Sequence, residues 1–390
     1  MVIILTAGIS SSSSDTTPTP AAAGGRCFTS IFSFGDSITD TGNHCHILSK
    51  AGRSANNCLL PYGETFFHRP TGRSSDGRLI IDFIAEHLGI PLVQPYFGGG
   101  STVDFDGGVN FAVGTATALD SDFLERRAGV KVTGTNVSLN VQLDHFRRLI
   151  PSLCRRGTDC NNLFRNSLFI LGEIGGNDYN FALSDGHSLK QVQDLVPLVV
   201  GSIISALKEI IELGAVNILV PGNFPMGCLP FLLNKFPSTN AGDFDPSTGC
   251  LTWVNEFVEY HNDLLQTELD RIRELHPADM NIIYVDYYNA LLRIYQAPKQ
   301  FGWLFLIAGF SGEPLAACCE GEGSVQCGSP SVRPCEDPSA YVNWDGIHFT
   351  EATYRVIAKS ILEEGLFTNP QFSASSCIAG NSGKAFPNSF

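Results

Sequence analysis

The sequence has no apolar run approaching the length of a bilayer crossing; the longest candidate, Leu195 to Leu207, is too short. No integral membrane span is expected. It has no fixed-period repeat, which argues against a solenoid. It has no C-x-x-C pairs, so a zinc-knuckle framework is not expected. His44-Cys45-His46 stands without a partner cluster, so neither a metal nor a cofactor is expected. It lacks G-x-S-x-G, the sharp-turn signature of one large class of serine nucleophiles. It also lacks basic charge: 25 Lys and Arg stand against 39 Asp and Glu, a net charge of −14 at pH 7. That balance disfavours nucleic acid or an anionic membrane as the main partner.

What is present is a chain of 390 residues, 43% of them hydrophobic, enough for one large α/β domain or two smaller ones. Twelve irregularly spaced cysteines fit a secreted, disulfide-bonded protein better than a cytosolic one, with connectivity open. Cys318 and Cys319 are expected in disulfides, or one of them buried. Asn136-Val137-Ser138 is the single glycosylation sequon. Val2 to Ala7 is apolar but short, has no basic residue before it, and is followed by a Ser/Thr/Pro/Ala tract to Ala23. Residues 1–26 therefore read as an atypical leader or disordered segment, 27–366 as the folded domain and 367–390 as a tail.

Short apolar runs at Ile31–Phe34, Val109–Val113, Leu168–Leu171, Val216–Val220 and Ile282–Val285 predict five buried strands. Between them, helical stripes fall at Leu79–Leu88, at Leu139–Ile150 (ended by Pro151), along Val196–Ile211, from Trp253 to Ile272, and at Tyr354–Leu362. His44 to His68 reads as loop. His261 lies in the apolar arc of its helix and reads as a core histidine. Alternating strands and helices imply an α/β fold: a three-layer α/β/α sandwich around a central, mainly parallel five-stranded sheet. Ligands in such folds bind beyond the carboxyl ends of the strands.

Four stretches carry chemistry. The first is Phe34-Gly35-Asp36-Ser37-Ile38-Thr39-Asp40, where a strand feeds a tight turn that holds a hydroxyl near a helix start. Free backbone N–H groups there favour developing negative charge. A serine needs a base, and Asp345-Gly346-Ile347-His348 offers an imidazole with a carboxylate three residues before it. Asp286, also at a strand end, is a rival carboxylate for which a loop-fixing role is expected. Thr350 is placed to cap the closing helix. The third stretch is Gly172-Glu173-Ile174-Gly175-Gly176-Asn177-Asp178, whose glycines can turn Asn177 toward an oxyanion. The fourth is Gly108-Val109-Asn110-Phe111-Ala112-Val113-Gly114-Thr115-Ala116.

Together these blocks resemble those of the plant GDSL esterase/lipase (SGNH hydrolase) family, from about Ser30 to about Leu366. The Gly108–Asp120 and Trp344–Thr350 stretches look most like its acetylajmalan-esterase-type subgroup. The resemblance implies a flavodoxin-like SGNH fold and a catalytic set of Ser37, Asp345 and His348. It implies an oxyanion hole built from the Ser37 N–H, the Asn177 side chain and a backbone N–H of the fourth stretch. The family pattern usually places a glycine where this chain has Thr115, with Gly114 one position early, so either Gly114 or Thr115 is the donor. The expected activity is hydrolysis of carboxylic esters, with short acyl groups favoured and a small-molecule, glycan or lipid alcohol. An acyltransferase using the same residues, or a non-catalytic binding protein of the same fold, are the competing readings. Tyr341 and Trp344 can line an acyl pocket or pack in the core. A monomer is favoured.

Overall fold

The computed structural model describes residues 28–98, 105, 107–154, 160–276, 280–300, 313–321 and 326–372. The leader assigned to 1–26, together with Cys27 and Cys377, lies outside the described residues.

Among the described residues, one sheet is built from β1 (Ser30–Phe34), β2 (Gln94–Pro95), β3 (Gly108–Asn110), β4 (Ser167–Leu171), β5 (Asn217–Pro221), β6 (Asn281–Val285) and β7 (Thr368–Asn369). Their order is β2-β3-β1-β4-β5-β6-β7, and every ladder is parallel except β6 with β7. The five expected strands form the middle, in the order of a flavodoxin-like sheet. Strands β1, β4 and β5 are buried along their whole length, which is why they read as continuous apolar runs rather than alternating ones. The helices Leu139–Leu153, Leu189–Glu212 and Thr252–Leu275 pack as one layer, and Ile80–His87, Tyr287–Gln296 and Glu351–Leu362 as another.

The sheet departs from expectation at its edges. It has seven strands where five are expected, because β2 and β7 are two residues each, too short to carry a period. β7 also lies in the segment assigned to a tail: Phe367 accepts the Asp286 N–H at 2.8 Å, Thr368 pairs with Val285, and Phe372 is buried. The folded region therefore runs past 366, at least to Phe372. Residues 111–113, expected in the second strand, leave the sheet after Asn110 to form a loop. The region 44–68 is not all loop, for Asn43–Lys50 is a helix. Its buried face is Asn43, His44 and Leu48, so no apolar stripe announces it. Pro151 does not end its helix, which continues to Leu153, and Cys154 closes the turn on the Ile150 carbonyl at 3.1 Å. A missing N–H in the last turn costs one bond, not the helix.

Phenylalanines dominate the core beneath β1. Phe146, fully buried, meets the rings of Phe32, Phe34, Phe111, Phe164 and Phe169 at centroid distances of 5.5 to 5.9 Å. Offset and edge-on aromatic contacts of this kind add to simple area burial. A smaller core joins Tyr62 and Trp344 to Cys318, Cys319 and Cys327, so Trp344 is a packing residue. Among the described residues, the disulfides are Cys45–Cys58, Cys154–Cys160, Cys228–Cys250, Cys318–Cys335 and Cys319–Cys327. No described helix is long and apolar enough to cross a membrane.

Truncating Phe146 to alanine removes the ring that five others contact. The expected loss is about 3–5 kcal/mol of stability, read as a lower urea midpoint at unchanged slope.

Candidate active site

The site forms where β1, β3 and β4 release their chains at the carboxyl end of the sheet. β1 runs into Gly35, whose φ of +153° suits glycine and whose position leaves no room for a Cβ: it would lie 2.9 Å from the Glu173 carbonyl. The buried side chain of Gln142 then brackets this glycine, accepting its N–H at 2.9 Å and donating to its carbonyl at 2.8 Å. Ser37 follows, half-buried, at the rim of a cavity of about 790 Å³.

Ser37 and His348 are far apart in sequence and meet directly. The Ser37 Oγ lies 2.8 Å from His348 Nε2. On the other side of the ring, Nδ1 lies 2.9 Å from Asp345 Oδ2 and 3.0 Å from Oδ1. Asp345 Oδ1 also accepts the backbone N–H groups of Ile347 and His348, at 2.8 and 2.7 Å. Its Oδ2 accepts the Tyr62 hydroxyl at 2.8 Å. Burial alone would raise the Asp345 pKa, but the imidazole and these donors outweigh it and bring it down to about 2. His348 moves the other way. Burial opposes its charge, yet the Asp345 carboxylate, and Asp36 behind it, raise its pKa above the ordinary imidazole value.

The expected oxyanion residues converge on the same rim, since Ser37, Gly114, Thr115 and Asn177 all line the cavity. They are not equivalent. The Gly114 N–H donates to Asp40 Oδ2 at 2.8 Å. Among the described residues, the N–H groups of Ser37 and Thr115 have no protein acceptor. Thr115 adopts φ +70°, a left-handed conformation that is costly for a β-branched residue. Its hydroxyl accepts the Thr135 N–H at 3.1 Å, and Gly134 packs so closely that a Cβ there would fall 2.3 Å from the Thr115 Oγ1. Asn177 opens the helix Gly176–Ser184 and donates its amide to Ala116 O at 2.9 Å and Asp36 Oδ2 at 3.2 Å.

Three buried carboxyls hold these loops. Asp40 accepts the N–H groups of Gly42, Asn43 and His44 besides that of Gly114. It thereby caps Asn43–Lys50 and ties the loop after β1 to the loop after β3. Asp178 accepts the N–H groups of Ala118 and Leu119 at 2.8 and 3.0 Å. Asp36 accepts Ile38 N–H at 3.0 Å and the Asn177 amide. Burial pushes Asp40 up to about 6, and Asp36 and Asp178 up to about 7, with their N–H donors opposing the shift.

Several other expectations are located by the structure. Thr350 caps Glu351–Leu362 by accepting Thr353 N–H. Asp286 caps Tyr287–Gln296, accepting Asn289 N–H at 3.0 Å, and stands outside the site. His261 is buried in the core, bonded through Nδ1 to the Tyr179 hydroxyl at 2.7 Å, and burial lowers its pKa to about 3. Cys45 is bonded to Cys58 and is no thiolate ligand. Sequence reasoning missed Tyr62 and Gln142 as supports. A lone tyrosine or glutamine carries no signal of the partner it meets 283 or 107 positions away.

A hydroxyl, an imidazole and a carboxylate in series beside free backbone N–H groups define a site able to run acyl transfer. Residues 31–361 match the model of the GDSL-like Lipase/Acylhydrolase family. Two Arabidopsis thaliana proteins, GDSL esterase/lipase At1g28590 and GDSL esterase/lipase At1g28640, are 51% and 50% identical to the chain. The first alignment covers 89% of this chain and 85% of the relative, the second 92% and 91%. Phospholipase A1 from Streptomyces albidoflavus NA297 aligns with 84% of this chain and 95% of its own, at 14% identity and a TM-score of 0.33. The chain belongs to the plant GDSL esterase/lipase family, a family of ester hydrolases.

The electrostatics give a direct expectation. In a ¹³C-histidine NMR titration, the His348 ring titrates above about pH 6.5, the ordinary imidazole value. Asp345→Asn removes the opposing charge and brings that midpoint down, and an unchanged midpoint would remove Asp345 as the cause.

Proposed function

We propose that the protein hydrolyses carboxylic esters through a Ser37–His348–Asp345 triad and an acyl-serine intermediate. We further propose that its substrate is a short-chain, acetyl-type ester of a polyhydroxylated alcohol such as a carbohydrate. The observation that carries this reading is the unbroken chain from Ser37 Oγ through both ring nitrogens of His348 to Asp345, with links of 2.8 and 2.9 Å.

In the first step neutral His348 takes the Ser37 proton at Nε2 while Oγ attacks the ester carbonyl. Asp345 fixes the tautomer that leaves Nε2 free and stabilises the imidazolium. The developing oxyanion receives the Ser37 and Thr115 backbone N–H groups, and the Asn177 amide N–H that leaves its longer bond to Asp36 Oδ2 at 3.2 Å. The commitment of the Gly114 N–H to Asp40 favours Thr115 as the loop donor. The imidazolium then protonates the leaving alcohol, and water, deprotonated by the same ring, releases the acyl group. His348 must be neutral to act as base, and its pKa is raised, so activity falls as pH drops through a value above the ordinary imidazole midpoint.

Two cavities support the substrate class. A chamber of about 30 Å³ beside Ser37 is walled by Ile38, Phe224, Met226, Leu229, Ile347 and Phe349, room for a methyl-sized acyl tail. The 790 Å³ cavity carries Asn56, Asn57, Asn234, Lys235, Glu320 and Gln326, a lining suited to hydroxyl groups. Asn56 bonds Gln326 and Asn234 bonds Glu320, each at 2.9 Å, so the residues beside the Cys319–Cys327 disulfide are tied to the body on both sides of this cavity. The resemblance of Gly108–Asp120 and Trp344–Thr350 to acetylajmalan-esterase-type enzymes leans the same way. Five disulfides among the described residues and an exposed Asn136 support a secretory route with the sequon accessible.

The test is a panel of acetyl to octanoyl esters of a sugar and of a simple alcohol, with product analysis in the presence of an acceptor alcohol. Ser37→Ala should lose on the order of 10⁴–10⁶ in kcat. Acetyl esters should be cleaved roughly tenfold or more faster than octanoyl esters, and Met226→Ala, which widens the chamber, should narrow that gap. Activity surviving in Ser37→Ala would remove the triad, and equal rates across chain lengths would remove the short-acyl assignment.

A further inference from the structure

Helix Asn43–Lys50 carries a histidine that the mechanism above does not use. His44 opens the His44-Cys45-His46 stretch, has 7% of its surface exposed, and lines the 790 Å³ cavity together with Gly114 and Thr115. One oxygen atom sets its position. Asp40 Oδ2 accepts the His44 N–H at 2.9 Å and the Gly114 N–H at 2.8 Å, which draws the helix start and the loop after β3 together. The ring then packs on Gly114, where an added Cβ would fall 2.9 Å from Nδ1 and 3.1 Å from Cγ. Gly114 is not among the glycines of positive φ, so space and not backbone angle excludes a side chain there. This gives a physical reason for the displaced glycine of this chain: the room beside position 114 is taken by the imidazole.

Much of the polar lining of the cavity is already committed. Asn56 donates to Gln326 and Asn234 to Glu320, each at 2.9 Å. Asn57 donates to Gly72 O at 2.9 Å and to Ser74 Oγ at 3.3 Å. The His44 ring is different. Neither ring nitrogen has a hydrogen-bond partner among the described residues, and neither is among the fully enclosed polar atoms that lack one. The space that the residue borders is the cavity. A ring so nearly buried and left unpaired costs stability that an apolar residue would not, which points to a partner brought by a ligand.

We propose that His44 is a substrate-binding residue: it reads a hydroxyl on the carbon next to the esterified one, and so favours monoesters of vicinal diols. The neutral imidazole offers one donor and one acceptor, and a hydroxyl can use both. The placement selects which hydroxyl. Gly114, on which the ring packs, directly precedes Thr115, whose N–H is the loop donor to the oxyanion, so the ring reaches the first atoms of the alcohol and not its far end. A methyl group in place of that hydroxyl leaves both nitrogens unpaired. This inference deepens the esterase reading and rests on it for its kinetic readout.

The probes are trans-2-hydroxycyclohexyl acetate and trans-2-methylcyclohexyl acetate, which differ by one hydroxyl. The measured quantity is the ratio of their kcat/KM values, corrected for their relative hydrolysis by hydroxide. Wild type should favour the hydroxyl-bearing ester by roughly tenfold or more. His44→Phe, which keeps a ring without nitrogens, should bring the ratio to within about twofold of unity. Gly114→Ala, whose methyl must displace the ring, should lower the ratio in the same direction, and it decides the matter if His44→Phe fails to fold by circular dichroism. A wild-type ratio near unity, or a ratio that neither variant changes, would overturn the assignment. An equal loss on both esters in His44→Phe would also overturn it, by placing the ring on the ester itself.

A second measurement needs no turnover. In ¹⁵N-histidine NMR of Ser37→Ala, the hydroxyl-bearing ester should shift the His44 ring nitrogens and the methyl analogue should not; equal shifts, or none with either, would refute the site. Folded wild type that cleaves neither ester, with the hydroxyl-specific shift still present, would sink the esterase reading and leave His44 standing as a hydroxyl site.

Discussion

One carboxylate, that of Asp40, couples the two loops on which the site is built. It is almost completely buried and accepts four backbone N–H groups, three from the turn after Ser37 and one from Gly114. A buried carboxylate without partners is expensive, but one saturated with backbone donors is a rigid joint. Asp178 does the same for residues 118 and 119. Asp36 does it between Ile38 and Asn177. Loops that would otherwise be free to adjust are thus held at the sheet edge by acids that touch backbone rather than substrate. The free N–H groups of Ser37 and Thr115 are what remains after this allocation.

The sheet explains why the site lies where it does. β1 is central, with β3 on one side and β4 on the other, and their crossovers leave in opposite directions. The crevice between diverging loops at such a switch point is where open α/β sheets bind ligands. Ser37 comes from the loop after β1, Thr115 from that after β3 and Asn177 from that after β4. His348 and Asp345 come from a different source, a turn just before the closing helix Glu351–Leu362. That turn is anchored by Trp344 and Tyr62 in a small core stitched by Cys318–Cys335 and Cys319–Cys327. Ser37 is therefore positioned by the sheet, and His348 by a disulfide-bonded appendage.

The strong local signals were readable in one dimension. Ile31–Phe34 and Leu168–Leu171 are apolar runs because both faces of the sheet are covered, and no other environment suits them as well. The Asp345-x-x-His348 spacing survives as a contact because three residues on a turn bring a carboxylate beside a ring. The signals that failed were those without a period. Helix Asn43–Lys50 is buried through an asparagine and a histidine, and it starts because Asp40 offers its carboxylate to the first N–H groups. β7 is two residues next to a proline and pairs only because β6 presents an open edge. Gln142 reads as a polar position on a helix, yet its amide has both partners in Gly35.

By itself the sequence determined the class of fold and the family, and it singled out Ser37, His348 and Asp345 as candidates, since each lies within a few consecutive residues. Tertiary structure alone decided how donors are shared. Gly114 and Thr115 are adjacent and chemically equal as amides, and only the approach of Asp40 commits one and leaves the other free. It alone brought the Glu173 carbonyl against the Asp36 N–H and Tyr62 against Asp345, contacts across chain separations at which no local pattern survives. The physical reason is common to all of them: a hydrogen bond belongs to two groups, and the second group is supplied by the packing of distant elements.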